Sequence, residues 1–324
     1  MENIIQKAFG GVDIDAPYVL HAKVEKNEKG RDFFVGDIHG TFHILEEALQ
    51  CINFDKEKDR LFCTGDLLDR GESEHLILDY LGQPWFYCIM GNHDDMLRGA
   101  VYNVADLGVS MYHKARNIGR PEKESLLSAR EAIKEGISPR FPFVNKLSVD
   151  EFVRLVDCIF NMPITMEVEN DKGLIGMIHA EASLDMSWAD YIEAITKDER
   201  NNHSYAHYSF WGDRGRVIPP FVEPYFTRAF DACETVNDGN KLLENTVKDL
   251  HLLFSGHNIM PVKFIKKIHT ENAKLRLDNK RGNLVFLDHG SFVAHDSGFE
   301  TDAFGLGIYD DDGECVLFLD SIPL

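Results

Sequence analysis

Three times in the first hundred residues an apolar run ends abruptly at a glycine, and residues that bind cations or move protons follow. Asp32-Phe33-Phe34-Val35 runs into Gly36-Asp37-Ile38-His39-Gly40, and Leu61-Phe62-Cys63-Thr64 into Gly65-Asp66-Leu67-Leu68-Asp69-Arg70-Gly71. Trp85-Phe86-Tyr87-Cys88-Ile89-Met90 runs into Gly91-Asn92-His93-Asp94. Short apolar runs closed by glycine read as buried strands. Thr41 is placed to cap a helix to about Ile52, with Phe42, Leu45, Leu49 and Ile52 on one face, and Ser73 to Leu81 also reads as helical. Strand, polar loop and helix in repetition give an α/β sheet whose ligands gather at the carboxyl ends of the strands. One Gly-Asp stop is ordinary turn chemistry, but three in tandem deliver polar groups to one sheet edge.

The residue types at those stops suit metal-assisted phosphate chemistry. Asp37 and His39 are two apart, so both can turn to one side of an extended segment and ligate one ion. The flanking glycines permit the tight backbone this needs. The two oxygens of Asp66 can bridge two cations, and the Arg70 fork can hold a phosphate at two points. Asn92 offers a carbonyl ligand and His93 a titratable imidazole. Two more histidines close apolar runs: His179 after Leu174–Ile178, and His257 after Leu250–Phe254 and Ser255-Gly256. His289 follows Leu284–Leu287 and its role is left open, while His43, His75, His113, His203, His207 and His269 read as surface or packing residues.

Elsewhere the pattern is structural. Residues 18–35 read as a hairpin leading into the first buried strand. Residues 95–161 read as a helical layer walling one side of the site without chemistry of its own, including a helix from Pro121 to Gly136 and one opened by a Ser148/Glu151 capping box. Ile164, Met166 and Val168 alternate, return through Asn170–Gly173, and the chain closes with a hairpin of Gly305–Asp310 and Cys315–Leu319. The 324 residues read as one domain, 1–324. Six cysteines without CxxC spacing indicate neither a zinc knuckle nor a disulfide framework. A net charge of −20 excludes DNA or RNA as a general partner, but not a phosphate substrate, because bound cations invert the local field. With no signal-type start and no apolar run of membrane-spanning length, a soluble cytoplasmic protein without a membrane partner is expected.

Taken in order, GDIHG (36–40), GDLLDRG (65–71), GNHD (91–94), His179 and Gly256-His257 resemble the phosphoprotein phosphatase branch of the calcineurin-like metallophosphoesterases. Within that branch the motifs resemble those of the bacterial and phage-type serine/threonine phosphatases. The anchors span 33–257, and the strands of 284–319 also fit. The resemblance implies an α/β fold: a β-sandwich flanked by helices, with a helical segment between the third and fourth metal-site motifs. It implies that Asp37 and His39 bind a first ion, that Asp66 bridges, and that Asn92, His179 and His257 complete a second site. Two divalent ions are implied, Mn(II) by the usual expectation for bacterial relatives, with Fe or Zn compatible with the donors. Such ions, ~3.5–4 Å apart, ionise a water that attacks phosphorus in line. His93 would protonate the leaving oxygen, oriented by Asp69. Arg70, with Asn92, would bind the substrate phosphate. A second arginine is expected in Phe210–Gly215; Arg214 is favoured, and Arg216 also fits the spacing.

The implied substrate is a phosphoprotein or phosphopeptide, hydrolysed as a phosphoserine or phosphothreonine monoester. One departure points elsewhere. The third motif of protein phosphatases commonly ends in Glu, whereas Asp94 matches the symmetrical dinucleoside tetraphosphatases, the alternative reading. Those hydrolases usually lack the second acid, which this chain keeps as Asp69. A fold that had become a non-catalytic binding module would show missing ligands, and every position here is filled.

Overall fold

Two β-sheets face one another across a layer of aromatic and aliphatic side chains, and their shared edge carries the polar loops. The computed structural model describes residues 4–180, 182, 186–197, 209, 247–257, 268–269, 275–276, 280–281, 283–291 and 305–320. In chain order its helices are α1 (Ile4–Ala8), α2 (Phe42–Cys51), α3 (Asn92–Asn103), α4 (Ala105–Asn117), α5 (Glu122–Ile137), α6 (Val149–Phe160) and α7 (Trp188–Lys197). The strands are β1 (Val19–Val24), β2 (Asp32–Val35), β3 (Arg60–Cys63), β4 (Phe86–Cys88), β5 (Pro163–Asn170), β6 (Gly173–Ile178) and β7 (Leu252–Ser255). They continue with β8 (Ile268–His269), β9 (Leu275–Arg276), β10 (Lys280–Arg281), β11 (Leu284–Phe286), β12 (Gly305–Asp310) and β13 (Cys315–Asp320).

One sheet has the order β13-β12-β2-β3-β4 and the other β1-β5-β6-β7-β11-β10, while β8 and β9 pair separately. The three strands that end in Gly-Asp or Gly-Asn, β2, β3 and β4, are mutually parallel. So are β6, β7 and β11, which precede His179, His257 and Asp288. Parallel neighbours present their carboxyl ends at one edge, so each sheet brings three loops there. Between the sheets, Phe34 stacks on Phe254 with centroids 4.2 Å apart and on Phe62 at 5.1 Å, among Met177, Val168 and Leu252. The outer face of the β2 sheet is covered by α2 to α6, and that of the β1 sheet by α7 through Trp188, Tyr191 and Ile195.

The α6 sequence shows why this cover forms. Phe152, Leu155, Val156 and Ile159 recur at helical spacing and are buried. Ser148 accepts from the Glu151 N–H while the Glu151 carboxylate takes the Ser148 N–H, closing the capping box. The β5–β6 pair and the β12–β13 hairpin also form where the alternation places them. No helix among the described residues is long and apolar enough to cross a membrane.

Four local expectations are corrected. Residues 18–35 form no hairpin: both edges of β2 are taken by β3 and β12, so β1 pairs in parallel with β5 in the other sheet. Residues 74–79 form a 3-10 helix, its start tied down by Ser73, whose N–H donates to Gly40 O at 2.9 Å. Thr41 precedes α2 without capping it through its side chain, because its hydroxyl donates to Ile38 O at 2.6 Å. Gly136 does not end α5, which runs on to Ile137.

Phe34 is fully buried at the centre of the inter-sheet layer. Phe34→Ala is expected to cost about 3–5 kcal/mol, read from the denaturant midpoint of metal-free protein. A loss below about 1 kcal/mol would mean that the sheets are held together elsewhere.

Candidate metal centre

At the shared edge the structure brings Asp37, His39, Asp66, Asn92, His179 and His257 together, all of them buried. The loops after β2, β3 and β4 supply the first four, and those after β6 and β7 supply the two histidines. Cross-bonds set the spacing. The His257 N–H donates to the Asp37 carboxylate at 3.1 Å, and the His93 N–H donates to Asp66 Oδ1 at 2.8 Å. Asp94, fully buried, accepts from the N–H groups of Asp66 (2.8 Å), Leu67 (3.1 Å) and Gly91 (3.0 Å). Burial and the neighbouring Asp66 charge push its pKa up to about 8, against the pull of those three bonds.

The ring tautomers decide what these groups can hold. His39 Nδ1 lies 2.9 Å from Leu68 O and His179 Nδ1 lies 2.8 Å from Thr64 O. A carbonyl oxygen only accepts, so both Nδ1 atoms carry protons, and in the neutral rings both Nε2 lone pairs point inward. His39 Nε2 then faces Asp66 Oδ2 at 3.4 Å, and His179 Nε2 faces Asp66 Oδ1 at 3.5 Å. Asn92 Oδ1, His179 Nε2 and His257 Nδ1 form a triangle with sides of 3.1, 2.9 and 3.2 Å. At most one ring proton, on His257 Nδ1, can lie within that triangle, whereas a cation satisfies all three corners. Two sets of donors, His39-Asp66-His93 and Asp66-His179-His257, each lie within 4.8 Å and share Asp66. Burial, Asp288 and Asp66 raise the Asp37 pKa, and burial lowers His39 to about 4 despite Asp66. Oxygen and imidazole acceptors crowded in a desolvated pocket fit divalent cations, and carbonyl-held Nδ1 atoms are the usual outer support of such ligands.

The backbone is bent to make this arrangement. His39, Asp66, Asp69, Arg70 and His257 all have φ between 45° and 93°, the left-handed region that non-glycine residues seldom enter. The flanking glycines share that role, Gly40 at φ 71° and Gly65 at φ 103°, but the clustered residues also adopt the strained conformation themselves. Two further glycines serve close approach. A Cβ on Gly91 would overlap Asp66, and one on Gly256 would overlap the Asp37 carboxylate and lie 2.6 Å from Thr64 Oγ1.

Beside the cluster, His93 Nδ1 lies 2.9 Å from Asp69 Oδ2, and Arg70 Nη2 lies 3.3 Å from His93 Nε2. The Asp69 carboxylate also takes both terminal nitrogens of Arg140. Burial opposes ionisation of Asp69, but the His93 and Arg140 bonds outweigh it and hold its carboxyl far below the usual range. Arg140 brings the 95–161 layer, expected to be a wall without chemistry of its own, into contact with the Asp69–His93 pair. It sits in a loop 71 residues from Asp69, with no local motif to mark it. Glu74 Oε1, which takes the Asp69 N–H at 2.6 Å, was equally unmarked. His289 is a packing residue, buried with Nε2 2.5 Å from the Tyr309 hydroxyl. Arg214, Arg216 and the Phe210–Gly215 segment lie outside the described residues, as do His203 and His207. A cavity of about 460 Å³ lined by Lys26, Arg31, Asp32 and Asp311 adjoins the first residues of β2, away from this cluster.

The calcineurin-like phosphoesterase family matches residues 33–261, which hold all six clustered residues together with His93 and Asp69. The chain belongs to this family. Among curated relatives, serine/threonine-protein phosphatase 2 of Escherichia coli (strain K12) is 35% identical over 80 residues, 25% of this chain and 37% of that protein. Its Salmonella typhimurium counterpart is 44% identical over 78 residues, 24% of this chain and 36% of that protein. The symmetrical bis(5'-nucleosyl)-tetraphosphatase of Serratia proteamaculans (strain 568) is 32% identical over 176 residues, 53% of this chain and 57% of the relative. The chain thus spans little more than a third of the length of the two phosphatases.

Asp66 belongs to both donor sets, so Asp66→Asn is expected to lower binding in both at once. Elemental analysis after Mn(II) loading and desalting should fall from about two ions per chain to well below one. Retention of one tightly held ion would show that the carboxylate serves a single site.

Proposed function

We propose that this chain is a metal-dependent phosphomonoesterase acting on phosphoserine or phosphothreonine in proteins or peptides. The observation that carries the reading is the Asp69–His93 pair at 2.9 Å, set against a cluster that fits two divalent ions. Held by Asp37, His39, Asp66, Asn92, His179 and His257, two such ions would supply a water ionised near neutral pH and positive charge for the phosphoryl oxygens. Mn(II) is the first candidate, with Fe and Zn suited to the same donors. Arg70, exposed on the rim, would grip non-bridging oxygens, and Arg214 is the proposed second phosphate-binding arginine.

The chain's own acid–base step follows from the ring geometry. Asp69 accepts the Nδ1 proton, which leaves Nε2 as the atom that exchanges protons with substrate. With His93 as the imidazolium, the Nε2 proton would pass to the ester oxygen as its bond to phosphorus breaks, and the ring would regain its lone pair. The new bond to phosphorus would form from water on the opposite face, and the proton that water releases, returned through solvent, would restore Nε2–H, so the products are the free hydroxyl and inorganic phosphate.

A second reading, hydrolysis of symmetrical dinucleoside tetraphosphates, is favoured by the Serratia relative and by Asp94 in the third motif. The burial of Asp94 weakens its part in that argument. Its carboxylate is engaged by three backbone N–H groups, so its chain length bears on loop framing before it bears on substrate. The oriented acid supports the monoester reading. A serine alkoxide leaves poorly without a proton, whereas a nucleoside polyphosphate leaves readily.

A substrate panel on Mn(II)-loaded protein tests the choice. Phosphoserine and phosphothreonine peptides are expected to be hydrolysed with higher kcat/KM than the dinucleotide. A clear preference for the dinucleotide, yielding two nucleoside diphosphates, overturns the substrate assignment.

His93→Asn is expected to lower kcat by ~10²–10⁴ on alkyl phosphates and less on aryl phosphates, with bound metal unchanged. A parallel loss of metal would make His93 a ligand instead.

A further inference from the structure

We infer that Arg140, delivered by the helical layer, is a positioning residue that fixes Asp69 so that His93 presents Nε2 to the leaving oxygen. The inference rests on the reading of His93 as the proton donor. Asp69 follows the buried run Thr64–Leu68, with its backbone at φ 73° and its N–H held by Glu74, while its side chain, 21% exposed, reaches out to His93 Nδ1. The single bond from His93 Nδ1 leaves that short side chain free to swing about it. Arg140 removes this freedom. Nη1 donates to Oδ1 at 3.0 Å and Nη2 to Oδ2, a two-point fork that fixes the carboxylate plane as well as its position.

The fork is itself anchored. The Arg140 N–H donates to Ile137 O at 3.0 Å, and Phe141, 1% exposed, holds the loop to the core. The guanidinium lies 4.8 Å from the Phe141 ring centroid, and Nη2 is 3.6 Å from Met96 Sδ. Met96 belongs to α3, the helix whose first turn carries Asn92 and His93. Arg140 therefore joins the loop of Asp69 to the helix of His93, and the pair is held from outside the metal cluster. A half-exposed ion pair contributes little to folding, so a purely structural role for Arg140 predicts almost no effect on turnover. A positioning role predicts an effect confined to substrates that need the acid.

The test compares Arg140→Ala and Arg140→Lys with the unaltered metal-loaded protein on a phosphothreonine peptide and on p-nitrophenyl phosphate. For Arg140→Ala, kcat should fall about 10- to 100-fold on the peptide and less than about threefold on the aryl ester, with KM nearly constant and Tm unchanged. Arg140→Lys should recover only part of the loss, since an ammonium cannot form the fork, and millimolar guanidinium should partly rescue Arg140→Ala. Equal losses on both esters overturn the inference, as does a raised KM with unchanged kcat, which would mark a substrate contact. Ring nitrogen NMR of His93 in metal-free protein gives a readout independent of turnover. The unaltered chain should show one Nδ1-protonated tautomer, and Arg140→Ala a mixture. An unchanged ring signal overturns the inference whatever the activity. A tautomer change in a protein that hydrolyses neither ester would instead remove the proposed function while leaving Arg140 as the residue that sets Asp69.

Discussion

The carboxylate of Asp94 is the interaction on which the rest of the site depends. It sits with no exposure to solvent and gathers three N–H groups from the loops after β3 and β4. Those loops have no regular partner for their donors at that point, and an unmet buried N–H is costly. By meeting them, Asp94 sets the backbone of Asp66 and the first turn of α3 relative to each other. Asp66 then accepts the His93 N–H, and its carboxylate is aimed at the histidines contributed by the opposite sheet. Charge is thereby concentrated where burial disfavours it most. The cost is met by N–H bonds and, with ions bound, by positive charge between the acceptors.

The same concentration explains the backbone. Left-handed conformations cost of order 1–3 kcal/mol for residues with a Cβ and persist only where the surroundings over-determine them. Five of the non-glycine residues in that state are site residues: His39, Asp66, Asp69, Arg70 and His257. Four of the five have an N–H or a carboxylate tied to another segment. His39 N donates to Asp66 O at 2.8 Å, Asp69 N to Glu74, and His257 N to Asp37. The loops brace one another, and a close-packed glycine at 91 or 256 is the space this bracing requires.

How far the sequence discloses such a site depends on whether its parts are local. Asp37, His39, Asp66, Asn92, His179 and His257 are legible because each ends an apolar run, and parallel strands place run-ends together. The α6 capping box and the β12–β13 hairpin are legible for the same reason, since their signals lie within a few residues. Arg140 and Glu74 leave no such trace. Their part in the site comes from the packing of α5 and the 3-10 helix against the β3 loop, and a half-exposed arginine in a helix-to-helix loop looks like any other. The partner of β1 is not legible in the same way, because alternation identifies a strand but not its neighbour. Only the occupation of both edges of β2 decides that β1 joins the second sheet.

Four of the six clustered residues follow strands of the β2 sheet and two follow strands of the β1 sheet, and this ties the site to the fold. His179 donates to Thr64 O across the interface, and Asp37 accepts the His257 N–H across it. Directly beneath lie Phe34, Phe62 and Phe254, whose stacking sets the distance between sheets. A change in that distance would open the donor triangle of Asn92, His179 and His257 at the same time as the aromatic layer. Ions bound there see the ligands assembled only when the sheets are docked, so their binding free energy adds to the cohesion of the sandwich. The aromatic layer in turn holds in place a cluster of acceptors that repel one another when no cation lies between them. Arg140 stands outside this exchange. It braces the Asp69–His93 pair from the helical layer, so that pair and the donor cluster are held by different parts of the fold.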